Sequence, residues 1–415
     1  MSQQLDLPGV VVLGSDFKAL GVMRSLGRRG IPAIVIDNLP RSAWFSRYAL
    51  KCLRWHGPMD DTAFLHFLLR LGKEHQLEQW MLFPTQDEVV EFVSRHAVQL
   101  ASVYRLTTQE WDVVRWACDK RLTYRMAQEV GVPYPKTWYP LNEEHLKTLE
   151  ITFPVIVKPA ISIRLQHALR LKALPASNHE ELLKHYRLMA DVSCPQEIMI
   201  QEIIPGSGDT QYSVATYCKD GHIRASMTAR RTRQYPIDYG LGSSFVEAMK
   251  VPVLVELAEK LLYFMRVSGM VEVEFKFDSR DGQYKLLDIN VRPWGWHTLC
   301  IASGLDFPAI QYYDLLGQTP ATPTPRYGYR WVRVLTDLPA GLQEIRTGIT
   351  TPGAYLRSLL AGNTVFSVFD WHDPLPALGD FAVALSRAIT GSYKKRQKTH
   401  ESSKMIPSSK GDYAA

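Results

Sequence analysis

Acidic and amide side chains alternate with apolar ones along two neighbouring stretches, Val271-Glu-Val-Glu-Phe-Lys-Phe-Asp278 and Leu286-Leu-Asp-Ile-Asn-Val-Arg292, joined through the turn-forming Ser279-Arg-Asp-Gly282. In an extended strand successive side chains point to opposite faces. Glu272 and Glu274 therefore share one face of the first stretch, and Asp288, Asn290 and Arg292 share one face of the second. If the stretches pair as an antiparallel hairpin, Glu274 lies beside Asp288 and Asn290. Two carboxylates and an amide oxygen on one face repel unless a hard cation sits between them. Mg²⁺ takes such oxygens and normally shares its other positions with phosphates. The plain alternative is a solvated sheet face with ordinary charges; against it, the polar face is one continuous patch.

Upstream residues suit a triphosphate. Lys158 ends the apolar run Phe153-Pro-Val-Ile-Val-Lys-Pro, which aims an ammonium off a sheet surface, although a snorkelling surface lysine gives the same pattern. Lys120 precedes a helix and is uninformative alone. Ile200-Gln-Glu-Ile-Ile-Pro-Gly206 reads as a strand entering a turn whose backbone can meet an adenine edge, with Asp209 just beyond in reach of ribose hydroxyls.

In this order, Lys120, Val155-Ile-Val-Lys158-Pro, Gln201-Glu-Ile-Ile-Pro-Gly206, Glu274-Phe and Asp288-Ile-Asn290-Val-Arg292 resemble the ATP-grasp superfamily, and within it the carboxylate–amine ligase branch. Arg230-Arg-Thr-Arg-Gln-Tyr-Pro236 with Asp238-Tyr-Gly240, Phe83-Pro-Thr-Gln-Asp87, and Leu13-Gly-Ser with Arg24-Ser-Leu-Gly27 match the branch too. The likeness spans about residues 9–318. It implies Lys120 and Lys158 on the ATP phosphates, Gln201, Glu202 and Ile204 around adenine, and Asp209 on the ribose. Glu274, Asp288 and Asn290 would hold one or two Mg²⁺, with Mn²⁺ as an alternative. Arg292, with Arg231 or Arg233, would steady the transferring phosphoryl group. Such transfer rests on positioning and charge neutralisation, which suits cations and metal carboxylates. The implied reaction joins a small-molecule carboxylate to an amine through an acyl phosphate. Two other readings stay open: phosphorylation of a hydroxyl or enol before amino-acid addition, and a degenerate ATP-binding protein. The second arises because the loop after Lys158, Ala160-Ile-Ser-Ile-Arg-Leu-Gln-His-Ala-Leu-Arg-Leu, lacks the glycines whose backbone N–H groups would cover phosphates; Arg164 or His167 would have to substitute. Pro293-Trp-Gly-Trp-His297 could wall an acceptor pocket, with His297 on the substrate, or be a packed aromatic cluster.

The elements that must position these residues fall into two textures. Up to about residue 110, strands (Val10 to Leu13, Ile31 to Ile36, Trp80 to Phe83) alternate with helices (Phe17 to Arg29, Asp60 to Lys73, Asp87 to His96), which predicts a parallel α/β sheet. Thr85 and Asp87 end one of its strands, where ligands bind in open α/β sheets, or else begin a helix. After Thr107-Thr108 a helix, with or without a break, is expected to run through Lys120 to Val130. From Phe153 an α+β texture follows, with strands at Pro154–Lys158, Ile198–Ile203, Gln211–Cys218, His222–Ala229, Met270–Phe277 and Tyr284–Asn290. The expected architecture is an ATP-grasp fold: a Rossmann-like domain at 1–115, an ATP-grasp domain at 116–318 in two parts (116–200 and 201–318), a small C-terminal subdomain at 319–390, and a disordered basic tail at 391–415.

Composition narrows the classes. The 415 residues are 46% hydrophobic and 22% charged, enough to bury several cores. Five scattered cysteines without a C-x-x-C pair argue against a disulfide framework and fit a reducing compartment. No signal-peptide pattern or membrane-length apolar run is present, so a cytoplasmic location is expected. Of the net charge of +6, residues 392–415 carry +4, so the nearly neutral body offers no broad nucleic-acid footprint. The tail, with the amphipathic Phe381-Ala-Val-Ala-Leu-Ser-Arg-Ala-Ile before it, could instead adhere to an anionic surface. Gly14 to Gly21 with Asp37 beyond is a faint dinucleotide pattern without the second glycine of G-x-G-x-x-G, so an NAD(P)-dependent oxidoreductase is the remote alternative. Family behaviour also implies homodimerisation.

Overall fold

The computed structural model describes residues 7–161, 173–191, 193–237 and 242–386. Outside these lie most of the glycine-free loop with Arg164 and His167, the Asp238-Tyr-Gly240 stretch, and the basic tail.

Three sheets organise the chain. The first is parallel, with strands β1 (Val10–Leu13), β2 (Ala33–Asp37), β3 (Ala49–Arg54), β4 (Met81–Pro84) and β5 (Arg105–Leu106) in the order β3-β2-β1-β4-β5. β1 reads Val-Val-Val-Leu and is buried throughout, as a central parallel strand covered on both faces requires. The β3 edge, Ala-Leu-Lys-Cys-Leu-Arg, has no such signature, which is why the sequence did not reveal it. Asp16 caps the Phe17–Gly27 helix by accepting from the backbone N–H groups of Lys18 and Ala19.

The second sheet, β6 (Thr137–Trp138), β7 (Val155–Pro159), β8 (Leu174–Ala176) and β9 (Ile198–Glu202), runs β6-β9-β7-β8. Along β7 the burial alternates, so Val155 and Val157 enter the core while Ile156 and Lys158 face outward. The third has seven strands, β10 (Gln211–Lys219), β11 (His222–Tyr235), β12 (Gly242–Ala248), β13 (Gly269–Asp278), β14 (Gln283–Asn290), β15 (Arg330–Val332) and β16 (Thr364–Phe366), in the order β14-β13-β10-β11-β12-β15-β16. The Pro252–Met265 helix, not expected from the sequence, packs Leu254, Ala258, Leu261 and Leu262 against Val214, Val271, Val273 and Phe275 of this sheet.

Two details set up the site. The expected helix beyond Thr108 is two helices, Trp111–Cys118 and Lys120–Glu129, and Asp119 at the break accepts from the Arg121 N–H. Lys120 thus begins a helix and is buried beneath the β13–β14 hairpin instead of waving in solvent. The segment expected as a C-terminal subdomain gives β15 and β16 to the large sheet. It is also tied to the first domain: buried Asp373 accepts from Arg24 Nε (2.9 Å), Ser46 Oγ (2.7 Å) and the Arg47 N–H (2.9 Å). A last helix occupies 375–386.

Candidate functional site

A cavity of about 370 Å³ opens where the three sheets converge. The hairpin supplies its floor. β13 and β14 pair antiparallel with Glu272 opposite Asn290 and Glu274 opposite Asp288, and the register shifts just after Glu274. The side chains interlock. Asn290 Nδ2 donates to Glu272 and to Glu274 (3.1 Å each), and Arg231 donates to Glu274 at 3.0 Å. The Lys120 ammonium meets Asp288 Oδ1 at 2.6 Å. Arg292 donates to Asn290 Oδ1 (3.1 Å) and to Asp87 Oδ2 (2.9 Å), so the first domain reaches into the site.

Glu272 sits deepest. It accepts from the Trp296 indole N–H at 2.7 Å, and burial, with the Glu274 charge beside it, pushes its carboxyl up to about 8. Arg292 is held firmly protonated: burial opposes the charge, but Asp87 outweighs it.

The candidate metal ligands form a hard-oxygen set. Among the described residues no three His, Cys, Asp or Glu side chains converge as a closed cage. Two carboxylates, each already facing a cation, and one amide oxygen lie on a single sheet face. That set fits Mg²⁺, which binds through one or two carboxylates and fills its other positions with water and phosphate.

The nucleotide-end candidates line the same cavity: Lys120, Lys158, Gln201, Glu202 and Ile204, with Ile156 and Leu287 as apolar wall. Gln201 is buried and donates to Thr137 Oγ1 at 2.9 Å. Glu202 is engaged by the Lys136 N–H (2.9 Å), Arg280 (2.8 Å) and Lys285 (3.3 Å); burial opposes its ionisation, but these donors keep it below its ordinary value. Asp209 lies in an adjoining hollow that shares Ile204, Gln211 and Lys276 with the cavity.

Three expectations need correction. Arg233 is not at the cavity: it is buried, donates to both oxygens of Asp337 (2.9 and 2.8 Å) and lies over the Phe245 ring. His297 does not reach the cavity either. It is enclosed against Gly21, where an added Cβ would come within 2.3 Å of Nε2, and its Nδ1 is 2.8 Å from the Trp294 carbonyl. Burial drives this imidazole down to about 4, hence neutral. Thr85 is buried and spends its hydroxyl on the Leu13 carbonyl. The tryptophans divide: Trp294 packs with Phe307 in the core, and Trp296 walls the cavity.

Sequence reasoning missed Lys18 and, as a site residue, Glu272. Lys18 enters the cavity from the C-terminal end of β1, 3.4 Å from Asp16; the signal was its place at a strand end of an open parallel sheet. Asp37, the acidic residue of the faint dinucleotide pattern, is buried and accepts from the N–H and hydroxyl of Ser15 at 2.7 Å each. That leaves it a tie between strand ends.

The chain is similar to several known proteins. Residues 195–337 match the family described as "ATP-grasp in the biosynthetic pathway with Ter operon". The chain is 24% identical over 337 residues to D-aspartate ligase of Enterococcus faecium, covering 76% of this chain and 78% of that protein. Its fold is similar to the biotin carboxylase domain of Hydrogenobacter thermophilus 2-oxoglutarate carboxylase, solved with MgADP and bicarbonate (TM-score 0.63, 16% identity, 78% of this chain and 73% of that one). It is also similar to L-amino acid ligase from Bacillus licheniformis (TM-score 0.55, 13% identity, 74% of each chain). The chain therefore carries an ATP-grasp domain behind a parallel α/β domain, and it is homologous to D-aspartate ligase. No described helix is long and apolar enough to cross a membrane.

Proposed function

We propose that this protein is an ATP-dependent carboxylate–amine ligase that works through an acyl phosphate and releases ADP and phosphate. One observation carries the reading. Lys120, Arg231, Arg292 and the Glu274/Asp288/Asn290 set, drawn from four separate stretches of sequence, line a single cavity with Lys158. That collection suits in-line phosphoryl transfer and little else, since it supplies positioning and charge neutralisation and offers no protein nucleophile.

Lys120 and Lys158 bind the ATP phosphates, Gln201, Glu202 and Ile204 border the adenine, and Asp209 stands beyond it for the ribose. Glu274, Asp288 and Asn290 would hold one or two Mg²⁺, whose bound charge offsets that developing on the phosphate oxygens. Arg292, clamped by Asp87, and Arg231, clamped by Glu274, face the carboxylate as it is phosphorylated. Trp296 and Lys18 border the acceptor end. The reactants are small molecules, an acid and an amine, handled in the cytoplasm.

The test is incubation with Mg-ATP, a pool of amino acids and a pool of carboxylic and hydroxy acids, read by mass spectrometry. ADP that requires both pools, with a product of acid plus amine minus water, is the expected result. AMP with pyrophosphate would instead mean adenylation and end the acyl-phosphate reading.

A further inference from the structure

The ligase reading leaves the C-terminal helix and the basic tail without a role. The helix at 375–386 packs one side on the first domain: Gly379 sits against Phe45, and Asp380 accepts from Ser42 (2.8 Å) and pairs with Arg333 (3.2 Å). Its other side is apolar and open. Leu375, Leu378, Phe381 and Leu385 are each more than half exposed, at the spacing of a helical stripe. Trp371, just before the helix, is 83% exposed, and Val334, beside the Arg333 that pairs with Asp380, is exposed as well. Isolated exposed leucines need no explanation; a run of them along one helix face does.

We infer that this face docks the protein on an anionic lipid surface, with the helix lying in the headgroup region. Charge argues for lipid. Directly beyond the helix the sequence supplies Arg387, then Lys394, Lys395, Arg396, Lys398, Lys404 and Lys410 against only Glu401 and Asp412. An apolar helix face joined to a basic cluster is the pair of signals that reversible attachment to anionic bilayers needs, since neither alone is strong. A second copy of this chain fits less well. A 12-residue stripe is about 18 Å long and about 10 Å wide, well short of the roughly 800 Å² per partner of a stable interface. The cavity lies on other elements, so docking leaves it open.

The experiment is co-sedimentation of the full chain with neutral phosphatidylcholine vesicles and with vesicles containing phosphatidylglycerol, at low and high salt. The docking reading expects binding to the anionic vesicles, little to the neutral ones, and loss in high salt. Phe381→Glu and Leu378→Glu, both at exposed positions, should each weaken it by roughly tenfold. Lys394→Glu with Lys395→Glu should weaken it without touching the helix. All variants should keep the parent melting temperature and ADP formation. Absence of vesicle binding, or binding that ignores lipid charge and these variants, overturns the proposal. It is equally overturned if Phe381→Glu converts a dimer to a monomer with no lipid effect, which would give the face to a second copy.

Discussion

The two ends of the β13–β14 hairpin treat their acids in opposite ways. At the turn, the buried Asp278 carboxylate accepts from Arg280 (Nε, 2.9 Å) and meets Lys285 Nζ at 2.6 Å, and these cations hold it far below the ordinary carboxylate range. Arg280 and Lys285 also take up Glu202, and Lys285 reaches Asp281 at 3.2 Å, so each acid of the cluster meets a cation of the protein. At the cavity end, Glu272, Glu274 and Asp288 crowd one face. Glu274 and Asp288 each meet a cation, while Glu272 accepts from an indole and an amide, neutral donors. Burial first, and the Glu274 charge beside it second, raise its carboxyl. A charge cluster that the chain completes itself contributes stability; one left for a ligand to complete marks function.

The comparison breaks most sharply by exchanging which end is damaged. Asp288→Asn or Asn290→Ala should lower ADP formation by about a thousandfold while the melting curve shifts by only a few degrees. Full activity in either variant would remove the metal site. Asp278→Asn, leaving Arg280 and Lys285 around a neutral amide, should do the reverse: a loss of about 3 kcal/mol in denaturant unfolding, with turnover per folded molecule unchanged. Lys158→Ala should weaken ATP binding by roughly tenfold, read by calorimetric titration.

A pH experiment sharpens the same contrast with a smaller effect. Glu272 has a higher affinity for its proton folded than unfolded, so its contribution is full below about 4.5 and is lost as pH rises toward 8. Unfolding in metal-free buffer should therefore show stability falling across that window, and Glu272→Gln should flatten the fall. His297 works in the other direction. Its proton affinity is lowered in the folded state, so stability should fall as pH drops from about 6.5 to 4. An unchanged slope in Glu272→Gln would mean that the cavity end is as well balanced as the turn.

The arginines of β11 show where sequence reading reaches its limit. Arg231 and Arg233 are two apart, and strict alternation puts them on one face. The strand register shifts between them and again before Gln234, so Arg231 enters the cavity while Arg233 turns to Asp337 on the Val334–Arg346 helix. A bulge re-aims side chains, and nothing in Arg-Arg-Thr-Arg announces one. His297 failed for a related reason: its neighbours in sequence line the site, but the turn after Arg292 rotates it under the Phe17–Gly27 helix.

By itself the sequence determined the alternating β/α order of the first domain apart from the β3 edge, the longer strands of the second but not β6, β8 or β12, the hairpin and the face that its acids share. These follow from periodicities of two and 3.6 residues and from turn residues, all local properties. It also carried the order of lysines, acids and arginine on which the family likeness rests. Only the tertiary structure decided that Lys120 meets Asp288 across 168 residues, that Asp87 of the first domain clamps Arg292, and that residues 330–366 complete the large sheet. Only there, too, did Glu272 become a buried acid against Trp296. Such partners are chosen by packing between distant segments, and a residue's burial and charged neighbours exist only once the chain has folded.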